Sequence, residues 1–330
     1  MINNVFSDTL HAVGNTPLIK LKWASSVSGC NIYGKAEFMN PGGSVKDRAA
    51  LFMIKDAEKK KLIKPGDTLI EATAGNTGIG LTLIGNAMGY KSLIVIANNQ
   101  SQEKKDTLIA CGAKLKEVPP VPYTDPNNYI HVAKRLATDN GGYFCNQFDN
   151  LANREAHIVT TGPEIINGLE GNIDAFTTSV GTGGTLAGVS IALKKKNKNI
   201  LTIAADPEGS VIFDFIKKGK LTSSGNSITE GIGQGRITKN FEASPVDDAE
   251  KITDSEALNV IYNMVQHDGL IMGGSTGINV ASAIKVGKKL KPNSNIVTIL
   301  CDYGTRYQSK IYNINFLQDN NLPIPPWLEE

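Results

Sequence analysis

Cysteine is scarce in this chain. The four present in 330 residues, Cys30, Cys111, Cys145 and Cys301, stand far apart with no CxxC pair. That excludes a disulfide framework and a zinc site of the usual ligand spacing; no metal is expected, and a reducing compartment, the cytoplasm, is the expected home. An excess of charge of one sign is lacking too. The 34 basic and 32 acidic residues are interspersed and leave a formal net charge of +2, so no broad basic face for nucleic acid is expected. Lys59-Lys60-Lys61 and Lys194-Lys195-Lys196 fall late in amphipathic segments, where cations suit the helix dipole, and read as solvated helix ends. No apolar stretch reaches bilayer length, and the N-terminus lacks a basic segment followed by an apolar run. Neither a membrane span nor a signal peptide is expected.

What the chain does have is glycine, 33 residues of it, beside 41% hydrophobic and 20% charged residues, the balance of a globular α/β protein. Its length exceeds the usual size of one core, so one large or two medium domains are expected. A turn over residues 11–19 is predicted to lead into a strand, with further strands over 32–38, 67–73 and 92–97, a short one ending at Val118, and others over 175–180, 201–205 and 296–300. Helices are predicted from Lys46 to near Lys61 and over 79–88, 101–111, 128–140, 153–169, 186–195, 254–267 and 277–290. Residues 23–31 read as a loop, and 221–237 as a long functional loop. Alternation at this spacing implies right-handed crossovers and a parallel, doubly wound sheet. Four of the strand-to-helix turns are rich in glycine, serine or threonine, and such turns line the ligand crevice of open sheets.

Two turns carry chemistry. Asn40-Pro41-Gly42-Gly43-Ser44-Val45-Lys46-Asp47-Arg48 sets a sharp bend before a helix: Ser44 is a good N-cap, and Ala49, Ala50, Leu51, Met53 and Ile54 have helical spacing. Lys46 then falls in the first turn, at the end of the helix dipole that is unfavourable for a cation, and an uncharged lysine amine is a nucleophile toward aldehydes. By itself such a lysine reads equally as a solvated surface charge. In Gly181-Thr182-Gly183-Gly184-Thr185, consecutive glycines let main-chain N–H groups converge at a helix N-terminus, and two hydroxyls add donors, so a phosphate dianion can be held without arginine. The alternative is a tight turn with no ligand. Nucleotide readings fare worse: residues 29–36 nearly spell a P-loop, but Ala36 lacks the hydroxyl that would hold magnesium, and no G-x-G-x-x-G follows the first strand. A phosphate cradle together with a nucleophilic lysine suggests a cofactor with a phosphate at one end and an aldehyde at the other, pyridoxal 5'-phosphate.

Six ordered motifs then carry a resemblance: Gly14-Asn15-Thr16-Pro17-Leu18, the stretch from Asn40 to Arg48, Thr73-Ala74-Gly75-Asn76-Thr77-Gly78, Gly181 to Thr185, Glu230-Gly231-Ile232-Gly233, and Gly273-Gly274-Ser275-Thr276-Gly277. Through nearly its whole length the chain resembles the fold type II pyridoxal-phosphate enzymes, within them the cysteine synthases (O-acetylserine sulfhydrylases), with the cystathionine β-synthases next. The resemblance implies two doubly wound open-sheet α/β domains with the active site in the cleft between them. Residues 1–40 and 152–330 would form the larger, cofactor-phosphate-binding domain, and residues 41–151 a smaller, mobile one carrying the substrate-carboxylate loop. It further implies that Lys46 forms the covalent link to the cofactor and that Asn76 hydrogen-bonds its 3'-oxygen. Gly181, Thr182, Gly183, Gly184 and Thr185 would hold the phosphate, and Ser275 would face the pyridine nitrogen. A serine hydroxyl cannot keep that nitrogen protonated as a carboxylate would, which suits β-elimination over transamination. The substrate carboxylate is expected at Thr73, Ala74, Gly75, Asn76 and Thr77, with Gln147 on the other side and Gly231 also at the substrate.

The implied reaction is a ping-pong β-replacement. Acetate leaves O-acetyl-L-serine to give an aminoacrylate, and sulfide adds to give L-cysteine, with Lys46 as anchor, base and acid. Readings that use the same residues are a cystathionine β-synthase-like condensation of serine or O-acetylserine with homocysteine or another thiol, a cysteine desulfhydrase, and a non-catalytic sensor or partner-binding protein on the cofactor fold. The commoner family spelling has proline and serine where this chain has Ala72 and Ala74, and Glu230 before Gly231 is as much a feature of cystathionine β-synthases. A homodimer, and docking of the C-terminal tail of serine acetyltransferase, are implied by the resemblance alone.

Overall fold

In chain order the strands are β1 (Leu18–Lys20), β2 (Asn31–Ala36), β3 (Thr68–Ala72), β4 (Lys91–Ala97), β5 (Lys114–Val118), β6 (Tyr143–Phe144), β7 (Ala175–Ser179), β8 (Leu201–Pro207), β9 (Asp248–Ile252) and β10 (Asn295–Leu300). The helices are α1 (Lys22–Ser28), α2 (Lys46–Lys59), α3 (Asn76–Ala87), α4 (Gln102–Ala110), α5 (Tyr129–Asn140), α6 (Leu151–Ala156), α7 (Gly162–Gly168), α8 (Gly184–Lys196), α9 (Ile212–Lys218), α10 (Lys239–Glu242), α11 (Asp254–Asp268), α12 (Gly274–Gly287) and α13 (Ile314–Asp319). This computed structural model describes residues 5–73, 75–242 and 244–329. Among them no helix is long and apolar enough to cross a membrane. The chain divides into two units, Met1–Gly14 with Asn40–Ala156, and Asn15–Met39 with His157–Glu330.

The smaller unit is built on a four-stranded sheet in the order β5-β4-β3-β6, parallel throughout. Alternate residues of β3 feed cores on opposite faces, as the two-residue period of a strand requires. Leu69 packs with Ala50, Met53, Ile54, Leu81 and Ile84 of α2 and α3, whereas Ile70 and Ala72 pack with Val95, Val118 and the α5 residues Ala133 and Ala137. Leu10 and Val13 lie against the first of these cores. That contact groups residues 5–14 with the smaller unit, whereas the resemblance assigns 1–40 to the larger.

The larger unit carries a six-stranded sheet in the order β1-β2-β10-β7-β8-β9. β1 runs antiparallel to β2 and the remaining pairs are parallel. β7 is buried at every residue and β10 at all but its first, the mark of parallel strands covered on both faces. Of the elements the sequence does not announce, among them α9, α10 and α13, two show why. Residues 23–31 were expected as a loop, yet α1 forms there. Its seven residues include three serines and bury only Ala24 and Ser28, so the apolar periodicity is faint, and Gly29 closes it at φ 72°. The edge strand β9 holds Asp248, Glu250 and Lys251 in five residues, which conceals its strand character. Residues 151–168 are helical as expected, with a π-helical turn at His157–Thr161.

Candidate active site

In the smaller unit, Lys46 is the first residue of α2, and the turn before it is fixed from several sides. Asn40 Oδ1 accepts the Gly14 N–H at 2.8 Å. Gly43 has φ 75°, a conformation that suits glycine. The Gly42 N–H donates to Asp47 Oδ2 at 2.5 Å, and a Cβ on Gly42 would fall 2.5 Å from Asp47 Oδ1. Asp47 and Arg48 are fully buried. Ser44 is not the N-cap expected; Val45 holds that position without a side-chain bond. The Ser44 hydroxyl still accepts the Lys46 N–H at 3.2 Å. The apolar face of α2, deep in the core, thus anchors a half-buried Lys46 at its first turn.

The same unit gathers the residues expected at a substrate carboxylate. β3 ends at Ala72, the Thr73 N–H donates to Val95 O at 3.1 Å, and the Gly75 N–H reaches Thr73 Oγ1 at 3.2 Å. α3 begins at Asn76, three residues before the predicted start, so the head of the helix follows Gly75 directly. Thr77 Oγ1 donates to Gln147 Oε1 at 2.6 Å, joining two residues seventy positions apart. Thr73, Gly75, Asn76, Thr77 and Gln147 therefore form one cluster; Ala74 lies outside the described residues.

In the larger unit, β7 runs into the glycine turn and α8. Gly183 has φ 84°, and a Cβ there would fall 2.5 Å from Phe241 Cβ. A Cβ on Gly181 would strike the Gly231 carbonyl oxygen at 2.3 Å, so the loop bearing Gly231 packs directly on the turn. Thr238 Oγ1 donates to Thr182 O at 2.7 Å and holds the turn's outer edge. The Gly184 N–H donates to Thr182 Oγ1 at 3.3 Å, so the head of α8 and the Thr182 and Thr185 hydroxyls lie together at the turn, a donor set suited to a phosphate dianion. Ser275 is the second residue of α12 and is buried. A Cβ on neighbouring Gly273 would lie 2.3 Å from Asp302 Oδ1, and the Tyr307 hydroxyl donates to Asp302 Oδ2 at 2.7 Å. Burial, then the charge of Asp302, pushes the Tyr307 hydroxyl well above its usual range. Glu230, beside Gly231, is ion-paired with Lys310.

Several residues escaped the sequence reading. His157 is fully buried, with Nε2 3.2 Å from Thr185 Oγ1 and Nδ1 2.8 Å from Thr161 Oγ1, and so orients a hydroxyl of the cradle. Its π-helical turn is a geometry frequent at functional sites, but a lone histidine in a helical stretch gives no such signal in sequence. Asp302 and Glu71 are equally silent, because their partners are set by the fold.

A lysine at a helix head and a glycine turn suited to phosphate are features that an enzyme working through a phosphorylated aldehyde requires. Residues 9–302 match the family described as pyridoxal-phosphate dependent enzyme, and the chain belongs to that family. Its cofactor is pyridoxal 5'-phosphate. Cysteine synthase 1 of Emericella nidulans is 48% identical over 327 residues, 97% of this chain and 88% of that protein. The cysteine synthase of Dictyostelium discoideum is 41% identical over 333 residues, 98% of this chain and 88% of its own length. Among solved structures, O-ureido-L-serine synthase superposes with a TM-score of 0.86 at 31% identity, covering 99% of this chain and 100% of that one.

Proposed function

We propose that this protein is a cysteine synthase, forming L-cysteine and acetate from O-acetyl-L-serine and sulfide. The observation that carries this reading is the 48% identity to a cysteine synthase across 97% of the chain. Bound pyridoxal 5'-phosphate supplies an electron sink that makes the amino acid's α-proton labile and its β-substituent a leaving group. Lys46 would hold the cofactor covalently, and its amine would serve as base and acid for the proton at the substrate's Cα. Gly181, Thr182, Gly183, Gly184 and Thr185 would hold the phosphate, Asn76 would hydrogen-bond the 3'-oxygen, and Ser275 would give the ring nitrogen a neutral partner. Thr73, Ala74, Gly75, Asn76, Thr77 and Gln147 bind the α-carboxylate, and Gly231 lies at the substrate. The smaller unit is the mobile one, and its movement excludes water.

We also infer a homodimer, which rests on the family resemblance. A cytoplasmic location fits the free state of all four cysteines. Docking of the serine acetyltransferase tail rests on the family resemblance.

The test is the visible spectrum of the purified holoenzyme titrated with O-acetyl-L-serine and then with sulfide. A band shift produced by O-acetyl-L-serine and reversed by sulfide, with cysteine formed, is the expected result. Reaction with serine and discharge by homocysteine alone overturns it. Lys46→Ala is expected to abolish turnover while the protein stays folded; substantial remaining activity removes Lys46 from its role.

A further inference from the structure

Glu71 is an acid in an apolar strand. It sits on β3 between Ile70 and Ala72 with 1% of its surface exposed, and among the described residues no cation is paired with it. Its two oxygens serve different groups: Oε1 accepts the N–H of Ala72 at 2.9 Å, and Oε2 accepts the N–H of Gln147 at 3.0 Å. The second bond closes a turn. Asn146, the residue before Gln147, has φ 53°, in the left-handed region that asparagine adopts more readily than other residues with a Cβ. On one side of this turn the Cys145 N–H is held by Ile70 O at 2.9 Å, and on the other Asn153 Nδ2 donates to Gln147 O at 2.9 Å. The Gln147 side chain then receives Thr77 Oγ1 at 2.6 Å and reaches back to Ala72 O at 3.4 Å.

Glu71 is the charged residue of a strand whose neighbours Leu69, Ile70 and Ala72 are all buried. Burial pushes the Glu71 carboxyl up to about 8, so a polar side chain is kept here at a cost to the fold. Packing gives no reason for it; the two main-chain N–H groups do.

We propose that Glu71 is a positioning residue of the substrate-carboxylate site, holding the Asn146–Gln147 turn so that Gln147, and Thr77 through it, are presented to the amino acid. The proposal rests on reading Thr77 and Gln147 as carboxylate-binding residues. Glu71 touches neither substrate nor cofactor and acts through Gln147.

A double-mutant cycle on the holoenzyme tests this, with Glu71→Gln, Gln147→Ala and the pair together. Glutamine keeps the shape of Glu71 but sets an NH2 group against one of the two N–H donors. The readouts are KM for O-acetyl-L-serine, KM for sulfide, and the Kd of L-alanine, which carries the α-carboxylate but no leaving group. Glu71→Gln is expected to raise the first and third roughly tenfold, leaving the sulfide KM and the cofactor's visible band unchanged. In the Gln147→Ala background the same change is expected to add less than about twofold. Unaltered constants in Glu71→Gln, or full independent effects in the pair, overturn the proposal alone. A silent Gln147→Ala overturns the carboxylate-site reading and the proposal with it. Should Glu71→Gln fail to fold, amide hydrogen exchange in the wild-type holoenzyme decides. The Gln147 N–H is expected to be protected and slowed further by L-alanine, and a freely exchanging amide overturns the proposal.

Discussion

Glu71 also bears on stability. Its carboxyl titrates at about 8 in the folded protein against an ordinary value of 4.5, with burial the main cause. Between those pH values the native state keeps a proton that the unfolded chain has released, so the fold is most stable with respect to this group below about pH 4.5 and loses stability as pH rises toward 8. The full span is on the order of 5 kcal/mol. Urea denaturation from pH 5 to 8 is expected to show a falling stability in the wild type and a much flatter profile in Glu71→Gln; equal slopes would rule out this linkage. The buried Cys145 thiol, pushed up by burial and then by Glu71, adds nothing in this range because it stays protonated in both states. Glu71 shows what a sequence hides at this scale, since its partner Gln147 lies 76 positions away and nothing local links them. The helix head at Lys46 and the tight turn from Gly181 to Thr185 are legible as local structure, because a sharp bend, a helix head and a close main-chain approach each leave a signature in residue type.

The glycine turn between β7 and α8 can be tested as an element. Gly183 combines a left-handed φ of 84° with a Cβ direction that ends 2.5 Å from Phe241 Cβ and 3.0 Å from its main-chain N and Cα. Gly183→Ala must therefore shift either the turn or α10, and the convergent N–H groups move with it. The expected outcome is a loss of cofactor affinity of at least about tenfold, with a stability loss of roughly 1–3 kcal/mol. Titrating the apo variant with pyridoxal 5'-phosphate and following the visible band checks it, and wild-type affinity would show that the turn does not set the cradle. Elements were legible in proportion to how simply they are buried. β7 and β10, covered on both faces, read as apolar runs, whereas α1 buries two of seven residues and β9 lies charged at a sheet edge. Tertiary packing, not local propensity, makes those two regular.

For the whole molecule, each of the two units owns a core, so unfolding of the apo protein need not be one cooperative step. The boundary between Ala156 and His157 falls inside a helical run, with none of the proline or glycine that marks a linker, which explains why composition gave no sign of it. The sequence supplies a way to watch one unit by itself. Both tryptophans, Trp23 and Trp327, belong to the larger unit, so indole fluorescence reports on that unit, whereas far-UV circular dichroism sums the helices and strands of both. In urea the two signals of the apo protein are expected to give different midpoints, and the fluorescence slope should be smaller than 330 residues unfolding together would require, because that slope scales with the surface exposed. Superimposable curves with the slope of the full chain would mean that the two cores melt as one. Adding pyridoxal 5'-phosphate stabilises the native protein by mass action, about 2.7 kcal/mol at a hundredfold excess over Kd. With residues proposed to hold it drawn from both units, both transitions should move to higher urea, and a shift confined to the dichroism signal would place the cofactor on the smaller unit alone.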